Sequence, residues 1–449
     1  MRMVKTGLKI VVFFLLFCGI LGIAIITKPA KTPLEKSAYY QEWKELIQKV
    51  SIQNQSSTDS LLAGWAKVNI TPKTPTPLAG YGKRKGKPFV DVLDSVFVRT
   101  VVLVKGETRA ALVSADLLII PPTVTDKLKQ MLSASDIAYE NIYLGATHTH
   151  NSVGGWGTGI SSLFFSGPYD PQIEVQLAEA ILASLRAAES TLEPVVLTYR
   201  EAIDDASIKN RLTGQDGNID PEIRSIELTS KNRGKLIFAT YGAHSTILNS
   251  STMKISRDWP GVFVDSLEHQ ADTFGMYMAG AVGSMGPTGN GETDIEAMVV
   301  QGNGVYQSFK KASFDTTLAT PTLMSLTLPL PLGQPKPRIT SQWALRPWVF
   351  KKAFGEYPND IKALRLGNIL LVGVPCDFSG ELMEEIDRYA KTNGLNLIVT
   401  GFNGGYMGYI TDDRWYELAA YETVTMNWYG PHKGAYFQEV IKDLVEIMK

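Results

Sequence analysis

A mixed α/β fold, α/β with α+β character, is what this sequence predicts, in one large domain. Two observations carry the prediction. Short apolar runs alternate with longer amphipathic segments from about residue 61 to the end of the 449-residue chain, a pattern of strands and helices in layers. Composition is that of an ordinary globular chain, 44% hydrophobic and 20% charged, and long enough to bury a sizeable core.

Taken in order, Leu34 to Val50 reads as an amphipathic helix with Tyr39, Trp43, Leu46, Ile47 and Val50 near one face. Ser51 to Ser60 is polar and suits a linker. Strands are expected at Trp65–Ile70, Val96–Val104, Arg109–Ser114, Asn141–Ala146, Val195–Arg200, Ser225–Leu228, Leu236–Tyr241, Met276–Val282 and Ile369–Val374. Helices are expected at Thr123–Leu132, Ile173–Ala188, Gly261–Ala271, Ile295–Ala312 and Phe378–Ala390. No sequence repeat or heptad pattern stands out.

The N-terminus divides the chain further. Ile10 to Ile26 carries no charge, with Arg2, Lys5 and Lys9 before it and Lys28 and Lys31 after it. Such a run just reaches the length needed to span a bilayer, about 17 residues. No small-residue cleavage site precedes Lys28, which favours an anchor over a cleaved signal. The expected organisation is a membrane anchor or signal segment over 1–28, an amphipathic helix and linker over 29–60, and the main domain over 61–449. A single-pass membrane protein with that domain outside the cytoplasm follows by analogy with secretory signals, or a secreted protein if the segment is cleaved.

Net charge is −1, from 44 basic and 45 acidic residues, so nothing points to nucleic acid as a partner. With only Cys18 and Cys376, and Cys18 in the apolar run, neither a disulfide framework nor a cysteine metal site is available. A metal would rely on His, carboxylate or Tyr. Oligomeric state leaves no trace in the sequence.

Of the five histidines, two stand in Gly145-Ala146-Thr147-His148-Thr149-His150-Asn151, directly after a buried strand. In extended backbone, residues two apart face one side, so both rings can reach one site at a strand end. The plainer alternative is two histidines capping a turn. His244, in Tyr241-Gly242-Ala243-His244, closes a second apolar strand. Asp377 follows a third, in Gly373-Val374-Pro375-Cys376-Asp377, with Glu381 one turn on as a fallback ligand and helix capping as the plain role for Asp377. A tyrosine-rich stretch runs through Tyr406, Tyr409, Tyr416 and Tyr421-Glu422; for any single tyrosine, core packing explains it as well.

Together these segments resemble the neutral/alkaline non-lysosomal ceramidase family. The resemblance runs in order from Asn69-Ile70-Thr71-Pro72 and Gly80-Tyr81-Gly82, through Ser114-Ala115-Asp116-Leu117, the Thr-His-Thr-His segment, Asn210-Arg211, Asp220-Pro221-Glu222, His244 and Ser256-Arg257-Asp258-Trp259-Pro260-Gly261, to Tyr406-x-x-Tyr409-Ile410-Thr411, Tyr421-Glu422 and Gly430-Pro431-His432. It implies a zinc-dependent hydrolase with the ceramidase catalytic fold, cleaving the amide of an N-acyl, lipid-like substrate with metal-activated water. It assigns zinc to His148, His244, Asp377 and Tyr421, and places His150, Arg211 and Tyr409 about the scissile amide. Asp116 and Asp258 become candidates for orienting a ligand histidine.

Two positions depart from the family pattern. Asp377 stands where the family has Glu. The family's Gly-Asp-x-Ser-Pro segment is Gly283-Ser284-Met285-Gly286-Pro287 here, so its serine is a glycine, and Ser284, which falls where its aspartate belongs, is the catalytic candidate to serve in its place after a local shift. The chain also ends without the immunoglobulin-like domain of longer ceramidases, which leaves ceramide itself open as substrate. These departures motivate a rival reading, a non-catalytic membrane-anchored relative that binds lipid or glycan. A second rival, an amidohydrolase-like barrel, would place the His-x-His pair near its first strand.

Overall fold

The computed structural model describes residues 13, 22–51, 59–134, 136–318, 321–355 and 359–449. Helix α1 (Ala38–Ile47) lies against the far end of the chain: Trp43 is wholly buried and its indole donates to Asp443 at 2.8 Å. The amphipathic segment expected over 34–50 is divided by an extended Ser37 into a short 3-10 turn, Leu34–Lys36, and α1.

The rest of the chain repeats one topology three times. In the first unit, β1 (Leu62–Asn69), β2 (Phe97–Lys105) and β3 (Thr108–Ala115) form an antiparallel meander. Helix α2 (Pro122–Met131) then crosses to β4 (Ile142–Ala146), which lies parallel to β3, as a helical crossover permits and a tight turn does not. Helix α3 (Pro171–Glu189) closes the unit, with Asp170 capping its first turn and Pro171 at its first position.

The second unit repeats this with β5 (Glu193–Ile203), β6 (Glu222–Ser230) and β7 (Gly234–Tyr241), then α4 (Asp258–Glu268) crossing to β8 (Thr273–Ala279), parallel to β7. Helix α5 (Asp294–Phe309) follows, opened by a capping box of Thr293 and Glu296. Strand β9 (Ser313–Leu318) adds to the outer side of β5. In the third unit, β10 (Leu323–Pro329) leads through a long excursion carrying α6 (Pro347–Phe354) to β11 (Asp360–Leu366) and β12 (Ile369–Gly373). Helix α7 (Met383–Thr392) crosses to β13 (Asn396–Thr400), parallel to β12, and α8 (Lys433–Met448) ends the chain.

The first two units share one sheet, in the order β8-β7-β6-β5-β1-β2-β3-β4, and the third forms its own, β10-β11-β12-β13. Their inner faces meet in one core that includes Trp65, Tyr143, Phe238, Met278, Leu371 and Ile398. Packing there is tight enough that a β-carbon at Gly145 of β4 would sit 2.4 Å from the sulfur of Met278 in β8, so any larger residue would force the Met278 side chain to move. Each unit covers its outer face with its own helix pair: α2 and α3, α4 and α5, α7 and α8 with α1. Ligand sites in such folds lie beyond the C-terminal ends of parallel strands. Here three parallel pairs, β3/β4, β7/β8 and β12/β13, bring such ends together.

Several expectations need correction. The strand expected over Met276–Val282 stops at Ala279. The helix expected from Phe378 begins at Met383, because Asp377–Phe378 extends to pair with Tyr409–Ile410. Among the described residues the ladder does not close into a barrel, so the amidohydrolase-type reading falls. No helix among the described residues is long and apolar enough to cross a membrane. Most of the expected anchor, 1–28, lies outside the described residues. Of its described end, residues 22–25 are helical and Ile26–Thr27 pairs as a strand with Ala344–Leu345.

Candidate metal centre and adjoining pocket

Loops from all three units converge on one point. His148 follows β4, His244 follows β7, and Asp377 follows β12. The Nε2 atoms of His148 and His244 stand 3.0 Å apart. Asp377 Oδ1 lies 3.4 Å from the first and 3.5 Å from the second. His150 Nε2 is 3.3 Å from His148 Nε2, and the Tyr409 hydroxyl is 3.3 Å from His244 Nε2. His148 reaches this point by a left-handed turn (φ 59°) rather than the extended backbone expected for the pair, and the rings of His148 and His150 cross at 88°.

The tautomers follow from the backbone. His148 Nδ1 contacts the Leu118 carbonyl at 2.6 Å, and His244 Nδ1 contacts the Val282 carbonyl at 3.0 Å. A carbonyl only accepts, so each Nδ1 carries a proton and Nε2 is the ring nitrogen turned inward. Burial is the main cause holding the His244 and His150 pKa values well below that of an ordinary histidine; Arg211 and the neighbouring histidines add to it. Asp377 Oδ1 is wholly buried without a hydrogen-bond donor. Acceptors that face one another with no donor between them are a cavity shaped for a cation. A tetrahedral zinc site with arms of about 2.0–2.1 Å has edges of about 3.3 Å, the spacing seen here. The donor set thus fits a divalent metal, and His148, His150 and His244 form a group able to hold one.

Around this point the side chains interlock. Tyr406 donates to Asp377 Oδ2 at 2.7 Å, leaving Oδ1 turned inward. Burial and the Asp377 carboxylate keep the phenols of Tyr406 and Tyr409 protonated far above their usual range. Arg211 donates to Glu422 Oε1 (2.7 Å) and to the Tyr409 hydroxyl (2.9 Å), so one guanidinium fixes the phenol. Its own place is set by an antiparallel pairing of Ile208–Asn210 with Met285–Pro287 and by its amide donating to the Ser284 carbonyl. Phe402, after β13, stacks on His148 at 4.0 Å and 4°.

Other expected residues lie differently. Tyr421 stands half-exposed at the mouth, its ring 6.0 Å from that of Tyr409, and its phenol is raised to about 12, chiefly by burial. The Ser284 hydroxyl is buried, without a hydrogen-bond partner, on a left-handed residue. Gly286 is not strained, and a β-carbon there would meet Arg211 at an ordinary 3.5 Å. Glu381 accepts from the Trp415 indole and serves structure instead of the metal point. Asp116 accepts from the Phe97 amide and Asp258 from those of Leu248 and Trp259; the imidazoles are oriented by carbonyls, not by these carboxylates.

Sequence reasoning missed Tyr406 as the partner of Asp377, Glu422 as the partner of Arg211, and Arg84. The buried Arg84 guanidinium donates to the His150 carbonyl, to Asn151 Oδ1 (3.0 Å) and to the carbonyls of Asn249 (3.2 Å) and Thr252 (3.0 Å), tying the His150 loop to the loop after His244. Only the Tyr-x-x-Tyr spacing gave a signal for the first, and nothing local marks the last.

Beside the histidines opens a cavity of about 280 Å³, near the lower end of small-molecule pockets. His148, His150, Tyr406 and Tyr409 form its floor; Trp156, Phe165, Leu330, Leu332, Phe350 and Trp428 are among its apolar walls.

This geometry, loops of three strand ends gathered on a histidine–carboxylate point beside an apolar cavity, defines a candidate metal-binding class of site. The neutral/alkaline non-lysosomal ceramidase family, N-terminal part, matches residues 61–302, more than half of the chain, and the chain belongs to that family. Among solved structures, neutral ceramidase from Pseudomonas aeruginosa superimposes with a TM-score of 0.75 at 18% identity, covering 87% of this chain and 74% of that one. A ceramidase complexed with C2 gives a TM-score of 0.74 at 18% identity, covering 87% and 75%. No curated protein matches this chain.

Proposed function

We propose that this protein is a zinc-dependent hydrolase that cleaves the amide of an N-acyl, ceramide-like lipid. The observation that carries this reading is the trio of His148 Nε2, His244 Nε2 and Asp377 Oδ1, within 3.5 Å of one another, with Oδ1 buried and lacking any hydrogen-bond donor. Those three would hold the ion, with Tyr421, which the family pattern assigns, as the fourth ligand. A bound divalent ion of this kind lowers the pKa of water to about 7 and polarises a carbonyl.

The protein's own groups supply the rest. The Tyr409 hydroxyl, protonated and held by Arg211, donates to the amide carbonyl oxygen as negative charge develops there. Because that donor is fixed before the substrate arrives, little reorganisation accompanies the reaction. His150, neutral in its buried setting, takes a proton from the attacking water and returns it to the nitrogen of the leaving amine as the C–N bond breaks. Tyr406 and Phe402 keep Asp377 and His148 in place. The cavity walls of Trp156, Phe350 and Trp428 accept an acyl chain and exclude bulk water from the carbonyl.

The test is release of fatty acid from N-acylsphingosine by the purified chain, with metal analysis beside it. Activity should disappear with a chelator and return with added zinc. A zinc-loaded protein that hydrolyses no N-acyl sphingoid would sink the reading, and would leave a binding relative on the same scaffold.

A further inference from the structure

The pocket mouth adjoins a group of exposed apolar side chains that the reaction does not use. Three segments carry them, and hydrogen bonds join the three. At the start of α6, the Arg346 amide donates to the Ile25 carbonyl (2.8 Å) and the Trp348 indole to the Ala24 carbonyl (2.9 Å), while Ala344–Leu345 pairs with Ile26–Thr27. At the other end of α6, the Ser161 amide and hydroxyl both donate to the Ala353 carbonyl (3.0 and 2.8 Å). Between these ties, Phe350 and Phe354 of α6 line the pocket, and Ser161, Ser162 and Phe165 line it at the facing one-turn helix Ser162–Phe165.

Large apolar surfaces left in water mark an interaction site, because their burial is favourable. Here Trp343 (48% exposed), Trp348 (54%), Ile160 (61%) and Phe164 (55%) stand out on these segments. The stretch from Trp343 to Gly355 adds Arg346, Lys351 and Lys352 and contains no acidic residue. Exposed tryptophan beside basic side chains suits the boundary between acyl chains and anionic headgroups. The chain outside the described residues points the same way. The uncharged sequence from Ile10 ends at Ile26, in the very strand that pairs beside α6.

We propose that the rim formed by the short helix around Phe164 and by Trp343 to Phe354 is a docking face for an anionic lipid bilayer. The apolar N-terminal run delivers the rim to that surface, and the pocket then opens toward the headgroup layer. A lipid substrate enters from the bilayer without crossing water. This surface does not rest on amide hydrolysis and is tested apart from it.

The full chain is reconstituted into phosphatidylcholine–phosphatidylglycerol vesicles, once with plain and once with brominated acyl chains. Bromine quenches only tryptophans that enter the acyl region. Trp43 and Trp259 are wholly buried and serve as internal controls. With two of eight tryptophans in the interface, emission should fall by about a quarter in brominated vesicles. The Trp343→Phe/Trp348→Phe variant, at exposed positions that tolerate the change, should lose that quenching. Equal emission in the two vesicle types, or quenching that persists in the variant, overturns the proposal. Hydrolysis of a short, water-soluble N-acyl substrate in the same samples reports the active site separately.

Discussion

His148 and His244 come from different units of the fold, yet their Nε2 atoms meet at 3.0 Å, each ring locked through Nδ1 onto a backbone carbonyl. Two inward lone pairs at that distance repel unless a cation or proton lies between them. Replacing either histidine by alanine should therefore remove bound metal and reduce amide hydrolysis by well over about 100-fold, since even outer partners of metal ligands are worth 10–100-fold. Metal content by mass spectrometry, with circular dichroism to show retained folding, checks this. A His244→Ala protein that keeps its full complement of metal would contradict it.

In the proposed reaction Tyr409 is the donor to the carbonyl oxygen, and Arg211 holds its hydroxyl at 2.9 Å. Tyr409→Phe keeps the ring and its packing but removes the hydroxyl. Loss of one such donor costs roughly 3–4 kcal/mol of barrier, so kcat should drop about 100- to 1,000-fold with KM changed little. Steady-state kinetics on a soluble N-acyl substrate decides it; a drop confined to KM would make Tyr409 a binding residue only.

Part of this site was legible in the sequence, and the limit has a physical reason. His148, His150, His244 and Asp377 each follow an apolar run, and a strand end is a local pattern. The pairings of Tyr406 with Asp377 and of Arg211 with Glu422 join residues far apart in the chain, and no spacing encodes them. The threefold repetition was hidden because it is kept in topology alone. The third unit was also hardest to read strand by strand: β11 is interrupted by the buried Lys362, and β10 alternates Leu with Ser and Thr and ends at Pro329. The left-handed turn at His148 replaced the simpler geometry of a strand pair because two rings must approach one point from different directions.

Ser284 offers a discriminating test of whether a serine takes part. Its hydroxyl is buried with no hydrogen-bond partner, a state that costs roughly 1–3 kcal/mol. Ser284→Ala should therefore leave hydrolysis within about threefold of the parent and raise the melting temperature, as relief of a buried unpaired group does. Calorimetry and initial rates together check this. A loss of hydrolysis as large as that expected for His148→Ala or His244→Ala would instead make Ser284 the nucleophile.

Lys362, which hid β11 from the sequence, also gives the clearest pH prediction. Its ammonium is buried 4.4 Å from the Tyr139 ring centroid, with Thr327 Oγ1 at 3.2 Å and the Tyr139 carbonyl at 3.4 Å. Burial lowers its pKa to about 8 from 10.5. The fold thus favours the neutral amine, and a charged Lys362 is a penalty below pH 8 that fades as pH rises from 8 to 10.5. At about 1.4 kcal/mol per pKa unit, the penalty is of the order of 3 kcal/mol at neutral pH. Lys362→Met loses the two hydrogen bonds and the ring contact, so its net gain should be about 1–2 kcal/mol at pH 7. That gain should shrink toward zero or below by pH 10, where the parent lysine has shed its charge. Denaturant unfolding at both pH values measures it; a variant less stable at pH 7, or a difference independent of pH, would show that Lys362 is charged and well paired in the folded protein.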